Sequence, residues 1–567
     1  MAATITSSNS SELSINERDP LIGQAEGGAG VTSTRGTRVR LITVLCILVT
    51  ELCERLTFYG VSANLVLYCQ DVLKLQAPYP STVTLAFQGT TFFTPVIGGW
   101  LADRFMGRFN AIYGSSMLYF VGVSLLCAVS YNYGPTYGMN ITAKEGFLAI
   151  AMILIAAGTG GIKSNVSPLG AEQLQDQGSQ VVERFFDWFY WFVQLGGFIA
   201  FTLVVYVQQE ISFFYGYLIP SLAILLGIFF FLIGNRIGYV DSSPSSDSRA
   251  LDTIKIAWHG LVGVFKSKSE DERSINWLDR VRLVHKERWS RESVEDTRSV
   301  LRLMPIFLTF VLYWTVFGQG LTTYVIQAKN MRLKLGSFTV PAASLNVFET
   351  GSLLIILPLL DHGIYPLLRY FGFRVTPLQR IGVGMLCASG SVFVAGFVEI
   401  GRKKFIDEYG YIQQVLFDKT VNASSMNVFY QAPQYILQGA GEALVSVTGL
   451  EMAFTQSPEY LHGLIMGLCL GTIGLGYYLA SALAAIVTSA STTWYPTDNI
   501  NSGHLEYYLF LMSGLMMLNF FIFVAISICF FEYKEVKETE KEPQNAEHPR
   551  EGNESTSPFG GGGGDLR

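Results

Sequence analysis

An apolar run from about Val39 to Tyr68 holds three ionisable side chains, Glu51, Glu54 and Arg55, and constrains the chain more than any other stretch. A helix of about 20 residues crosses a bilayer. At mid-bilayer each charge costs on the order of 3 kcal/mol on insertion scales, so a chain keeps such groups where they face a wet cavity or neutralise one another. Glu51 precedes Arg55 by one helical turn, the better order for pairing. At 100° per residue, Glu51, Glu54, Arg55, Phe58 and Ser62 project from one side. This stripe is either the wall of a functional cavity or a self-neutralising pair that fixes helix packing.

Further apolar runs follow at roughly 82–103, 110–130, 147–167, 186–207 and 214–234, and again at 303–326, 341–361, 379–399, 430–453, 463–488 and 506–531. Only 15% of the 567 residues are charged, against about a quarter in soluble domains. These features predict an all-α polytopic membrane protein with twelve transmembrane helices in two six-helix bundles around a midplane site, the major-facilitator fold. The boundaries expected are a disordered cytoplasmic tail over 1–38, bundles over 39–236 and 300–532, a cytoplasmic linker over 237–299 and a second disordered tail over 533–567. No internal repeat is visible by eye.

The seven cysteines fall almost entirely within apolar runs, with neither a disulfide framework nor zinc spacing. There is no basic nucleic-acid footprint, no Gly-rich phosphate loop, no HExxH and no Ser-centred elbow, so neither enzyme nor nucleic-acid chemistry is expected. The first tail carries Glu17-Arg18-Asp19-Pro20-Leu21-Ile22, an acidic dileucine pattern (Glu17, Leu21, Ile22) of the kind clathrin adaptors read on endosomal and lysosomal proteins. With both termini cytoplasmic, the sequons at Asn140 and Asn422 fall on the opposite side and are expected to be glycosylated.

Three more stretches carry ions or small residues at membrane depth. Pro95–Arg108 ends a span in small residues followed by Asp103, Arg104 and Arg108, and resembles the gating loop between the second and third helices of major-facilitator carriers. Gly158-Thr159-Gly160-Gly161-Ile162-Lys163 lets helices approach closely and leaves Lys163 in need of an anion, for which an acid of the first span is the expected source. The tenth span reads Tyr430-Gln431-Ala432-Pro433-Gln434-Tyr435 and then Glu442.

Together, Glu51-x-x-Glu54-Arg55, Gly160-Gly161-Ile162-Lys163, Phe189-Tyr190 and Pro433-Gln434-Tyr435 with Glu442 resemble the proton-coupled oligopeptide transporters, over about 40–530 and in order. Glu51–Tyr68, Phe185–Trp191 and the dileucine tail most resemble the peptide/histidine transporters of endolysosomes. The resemblance implies a proton-coupled symporter that exports free histidine and di- or tripeptides to the cytosol, with the proton as coupling ion and no cofactor. Arg55 and Lys163 would hold the substrate carboxylate and Glu442 its amine. Tyr59, Tyr190 and Trp314 would wall the cavity. Glu51 and Glu54, facing Lys163, would carry the proton. A second reading is a lysosomal scaffold or sensor that recruits a cytosolic signalling adaptor, and a nitrate carrier is the alternative on substrate alone.

Five positions depart from the family pattern. Phe58-Tyr59 replaces paired tyrosines, Gln194 stands where Asn is expected, and the outer-gate positions are Ser62 and Gly318, so that salt bridge is absent. Glu349 stands in an apolar stretch where Asn is expected, and is a candidate partner for a substrate amine or imidazolium.

Overall fold

The structure, a computed structural model, describes residues 29–529 apart from 133–138, 175–178, 374, 418, 457–461, 492, 496–499 and most of 240–288. Twelve long helices take up the apolar runs. They are α1 (Ala29–Ser62), α2 (Tyr79–Leu101), α3 (Arg108–Ser130), α4 (Ile141–Lys163), α5 (Ser179–Ile199), α6 (Phe213–Ile237), α7 (Arg291–Phe317), α8 (Asn346–Leu359), α9 (Pro377–Tyr409), α10 (Ala432–Thr455), α11 (His462–Ala490) and α12 (Leu505–Cys529). Local chemistry sets several ends. Thr376 and Gln379 form a capping box before α9, with Pro377 in the first turn, where its missing N–H leaves nothing unpaired. Ser212 and Ser290 accept from the backbone N–H of Tyr215 and Ser293 and start α6 and α7. α1 begins inside the stretch expected to be tail, and α7 begins ahead of the expected boundary at 300. Glu17, Leu21 and Ile22 lie outside the described residues.

Among the described residues nine helices are long and apolar enough to cross a membrane, and the chain is an all-α polytopic membrane protein. The three long helices that fall short are α1, α2 and α10. They are rich in polar side chains turned inward: the ions of α1, Ser81, Thr84, Gln88 and Thr91 of α2, and Gln434 and Gln438 of α10, all buried.

The repeat that is invisible in the sequence is plain in the packing. α1 lies against α5 and α6, α2 against α4, and α3 against α4 and α6. Six helices on, α7 lies against α11 and α12, α8 against α10, and α9 against α10 and α12. The bundles meet along a broad α2–α11 contact and a narrow α5–α8 one. Close approach is bought with glycine. A Cβ on Gly474 of α11 would lie 2.8 Å from the Gly89 carbonyl of α2, and one on Gly160 of α4 would lie 2.6 Å from Thr94 Cβ.

Two hairpins stand at the end opposite the chain termini, the distal end: β1 (Lys334–Leu335) with β2 (Phe338–Thr339), and β3 (Tyr411–Leu416) with β4 (Lys419–Ser424). Both reach from the second bundle to the first. Phe338 stacks on Tyr206 at 5.6 Å, and Phe417, at the tip of β3–β4, stacks on Phe213 at 5.0 Å. Phe417 holds φ +51°, a region a bulky residue rarely adopts. Lys329 binds both Asp71 oxygens at 2.8 and 2.7 Å, and the Ala342 N–H donates to Gln209 Oε1 at 2.9 Å. At the proximal end the ion pairs Arg108–Glu172 and Arg380–Glu451, the latter at 3.7 Å, each stay within one bundle. The distal end is therefore bolted across the seam.

Filling the α2–α4 crossing should overpack it. Gly160→Ala is expected to destabilise the purified protein by about 1–3 kcal/mol, read as a lower thermal midpoint. Gly114→Ala, where a Cβ meets nothing within 4 Å, should leave the midpoint unchanged.

Candidate substrate site

The α1 stripe folds onto itself before it faces anything else. Arg55 Nε lies 2.9 Å from Glu51 Oε1 and 2.5 Å from Glu54 Oε2, and all three residues are buried. These are ionic contacts outside good hydrogen-bond alignment, so part of each group's bonding capacity stays unspent.

Lys163, at the C-terminal end of α4, takes a different place from the one expected. Its ammonium lies 3.7 Å from the Phe58 ring centroid and 4.0 Å from that of Phe92, with no hydrogen-bond partner among the described residues. The acids of α1 are within its electrostatic range, but Arg55 holds them. The Phe58 ring face seats the cation by its quadrupole, a contact worth about 0.5–2 kcal/mol.

The second bundle brings two more acids. Glu349 of α8 and Glu442 of α10 are half-buried and within electrostatic range of each other, and Gln438 Nε2 donates to Glu349 Oε2 at 3.2 Å. Neither acid has an ion-pair partner among the described residues. Tyr59 joins the halves, within range of Arg55 and Glu54 on its own side and of Glu442 and Glu349 on the other. Tyr190 lies near Glu442 and Tyr59, and Gln194 is its hydrogen-bonding neighbour. The structure thus brings Arg55, Tyr59, Tyr190, Glu349 and Glu442 to one seam, with Lys163 behind Phe58.

Trp314 is placed elsewhere. It is 5% exposed, packed edge-on to Tyr313 and Phe317 at 5.1 and 5.0 Å, and uses the space left by Gly476. It belongs to the packing of α7 on α11. Tyr313 and Tyr477 are the aromatics within range of Glu349 and Glu442, and sequence reasoning missed both. It also missed Gln438, although Gln434, Gln438 and Glu442 recur every fourth residue on one face of α10.

The expected gating loop is a latch within the first bundle. Arg108 pairs with Glu172, a partner the sequence did not suggest, on the short helix Val166–Glu172 that follows α4. Arg104 is exposed and lies 5.9 Å from the Phe105 ring centroid, while the Asp103 side chain is outside the described residues. Ser62 donates back to the Phe58 carbonyl and Gly318 packs beside Leu85 and Tyr477, so neither holds a gate charge. Asn140 and Asn422 are both exposed at the distal end.

Two pseudo-equivalent six-helix bundles, closed at one end over a buried ionic seam, define a carrier of the major-facilitator type. The family model described as POT family matches residues 109–501, and the chain belongs to that family. Solute carrier family 15 member 3 of Mus musculus is 28% identical over 552 residues, covering 90% of this chain and 94% of that one. Protein NRT1/PTR FAMILY 8.1 of Arabidopsis thaliana is 31% identical over 537 residues, covering 85% and 92%. A crystal structure of an auto-inhibited POT family peptide transporter superposes with a TM-score of 0.70 at 22% identity, covering 87% and 98%, which shows the shared fold.

The two aromatic placements separate by experiment. Trp314→Ala is expected to cost about 3–5 kcal/mol of stability, seen as a lower thermal midpoint. Phe58→Leu should lower the midpoint less than Trp314→Ala does and weaken dipeptide binding about threefold to thirtyfold by calorimetry, the size of the lost ring–cation contact. Phe58→Tyr, which keeps the ring, should retain binding.

Proposed function

We propose that the chain is a proton-coupled symporter that exports free histidine and di- or tripeptides from the endolysosomal lumen to the cytosol by alternating access. The observation that carries this reading is the charge layout of the seam. On one side Glu51 and Glu54 face Arg55 and Lys163, which sum to zero, while on the other Glu349 and Glu442 have no cation among the described residues. A zwitterion completes this arrangement, its carboxylate taken by Arg55 and Lys163 and its amine by Glu442. Glu349 offers a further site for an imidazolium or a second ammonium, which favours histidine and cationic dipeptides.

Proton coupling follows from the same layout. A substrate carboxylate that takes up Arg55 displaces Glu51 or Glu54 from their only guanidinium. A displaced buried carboxylate is stabilised by binding a proton, because burial disfavours its charged form. Release of substrate on the cytosolic side returns Arg55 to the acids and expels the proton. The proton is the coupling ion and no cofactor is needed.

The location rests on the dileucine pattern at Glu17, Leu21 and Ile22, a signal for clathrin adaptors, and on two exposed sequons at one end. With that end in the lumen, the lumenal acid supplies the gradient. The nitrate reading, which the Arabidopsis relative's family name raises, fits the site less well: a small anion would use Arg55 and Lys163 and leave Glu349 and Glu442 unserved.

Purified protein in liposomes with an imposed pH gradient, acid on the distal side, is expected to accumulate labelled histidine and a labelled dipeptide but not nitrate. Glu349→Gln should reduce histidine uptake about tenfold, the size of a charge-assisted hydrogen bond, while a neutral dipeptide is little affected. Nitrate accumulation in place of both would overturn the proposal, and unchanged histidine uptake by Glu349→Gln would remove that residue from the site.

A further inference from the structure

A cavity of about 340 Å³ with mixed polar and apolar walls lies at the distal end between the bundles and shares no residue with the central seam. Its walls come from the start of α2 (Pro80, Ser81), the distal continuation of α7 (Thr323, Lys329), and the β4 strand (Thr420, Asn422). Its volume is that of a small-molecule pocket.

Among the described residues, one carboxylate of the first bundle faces two ammonium groups of the second beside the cavity. Asp71 of the first bundle lies between two ammonium groups of the second: Lys329 at 2.7 Å, and Lys419, whose Nζ is 3.9 Å from Asp71 Oδ1 and also donates to the Asp71 carbonyl. The nearby Glu399 and Arg402 pair with each other at 2.6 and 2.9 Å and are fully buried, and Arg402 also donates to Asn501 of the cavity wall. Two cations facing one carboxylate leave a surplus positive charge among the described residues, with Asp418 and Asp498 outside them. Lys329 is only 6% exposed, yet it lines the cavity. An ammonium in that position attracts an anion more strongly than one in bulk water.

Resting on the proposed transport of zwitterions, we infer that this cavity is a waiting site for the carboxylate of a lumenal amino acid or dipeptide, which competes with Asp71 for Lys329 and so releases the distal bolt. Lys329 belongs to the second bundle and Asp71 to the first, so when the bundles part Lys329 loses its partner. A carboxylate already in the cavity replaces it, and the parted state no longer holds a bare, half-buried ammonium. Arrival of solute thereby lowers the barrier to opening on the side from which the solute comes.

The test is uptake of glycyl-histidine by full-length protein in liposomes, solute supplied on the distal side in chloride-free methanesulfonate buffer. Lys329→Gln removes both the bolt and the carboxylate receptor, whereas Asp71→Asn removes the bolt and frees the receptor. Lys329→Gln is expected to raise KM about fivefold to tenfold, the loss of one charge-assisted hydrogen bond, and Asp71→Asn to lower it. Shifts in the same direction, as a plain bolt would give, overturn the inference, as does no shift in either. If Lys329→Gln does not reach the membrane, Thr420→Trp, which fills the cavity from an exposed strand position, decides: a raised KM supports the waiting site and an unchanged one overturns it. Dipeptide binding to detergent-purified protein reads the central seam separately, so wild-type protein that binds no dipeptide counts against the transport reading and not against the cavity.

Discussion

One guanidinium shared by two buried carboxylates is the constraint on which the rest of this molecule depends. Arg55 between Glu51 and Glu54 helps make α1 one of the three long helices too polar to qualify as a span by composition, and the charged stripe is enclosed where α1 packs on α5 and α6. A buried ion pair gains little net free energy over an apolar replacement, but stranding one partner costs several kcal/mol. The triad therefore tolerates exchange of partners and resists loss of them. Lys163 extends the same logic. Seated on two rings, its ammonium spends no hydrogen bond among the described residues, and an incoming carboxylate meets a group that no protein acid must first release.

The ion pairs at the two ends of the molecule have opposite consequences. Arg108–Glu172 and Arg380–Glu451 occupy equivalent places in the two repeats, at the start of the third helix of each bundle and near the end of the fourth. Each ties a bundle to itself and makes it move as one body. Lys329–Asp71, Phe417–Phe213 and Phe338–Tyr206 cross the seam and must break if the distal end is to open. The broad α2–α11 contact, in which Gly89 and Gly474 bring the backbones together, is flanked by the Thr90–Tyr478 hydrogen bond and the Phe92–Tyr477 ring contact. A close crossing of this kind suits two bodies that rock against each other.

What could be read in the sequence was whatever helical period decides. The α1 stripe, the small-residue run ahead of Lys163 and the acid of α10 all follow from spacing along one chain segment. Azimuth between segments does not. Trp314 and Tyr313 differ by 100° around α7, and only the packing of α11 selects Tyr313 to approach Glu349 and Glu442. The partner of Lys163 was misassigned for a related reason: charge complementarity suggested an acid, but Arg55, on the same helix as those acids, reaches them first. The distal bolt was hidden more deeply. Lys329 and Asp71 lie 258 positions apart, and strands of two and six residues carry little periodic signal. The gate positions inferred from resemblance, Ser62 and Gly318, did show that the usual bridge is missing, without showing what stands in its place.

Two of the departures from the family pattern act on the same quantity. Phe58 lacks the hydroxyl a tyrosine would bring and offers Lys163 a ring face with no polar group beside it, and the Lys163 ammonium has no hydrogen-bonded carboxylate among the described residues, which strengthens the positive character of the first bundle's wall. Glu349 adds an acid opposite, beside Glu442, and strengthens the negative character of the second. Both enlarge the electrical asymmetry across the seam. In a partly desolvated cavity the energy of a dipolar solute grows with that asymmetry, and the solute collects it only when both walls are close. Substrate binding and closure of the bundles then become one event, because a solute that touches a single wall leaves half its charge unmatched. A neutral solute, or an anion alone, gains nothing from the second wall and has no means of drawing it in.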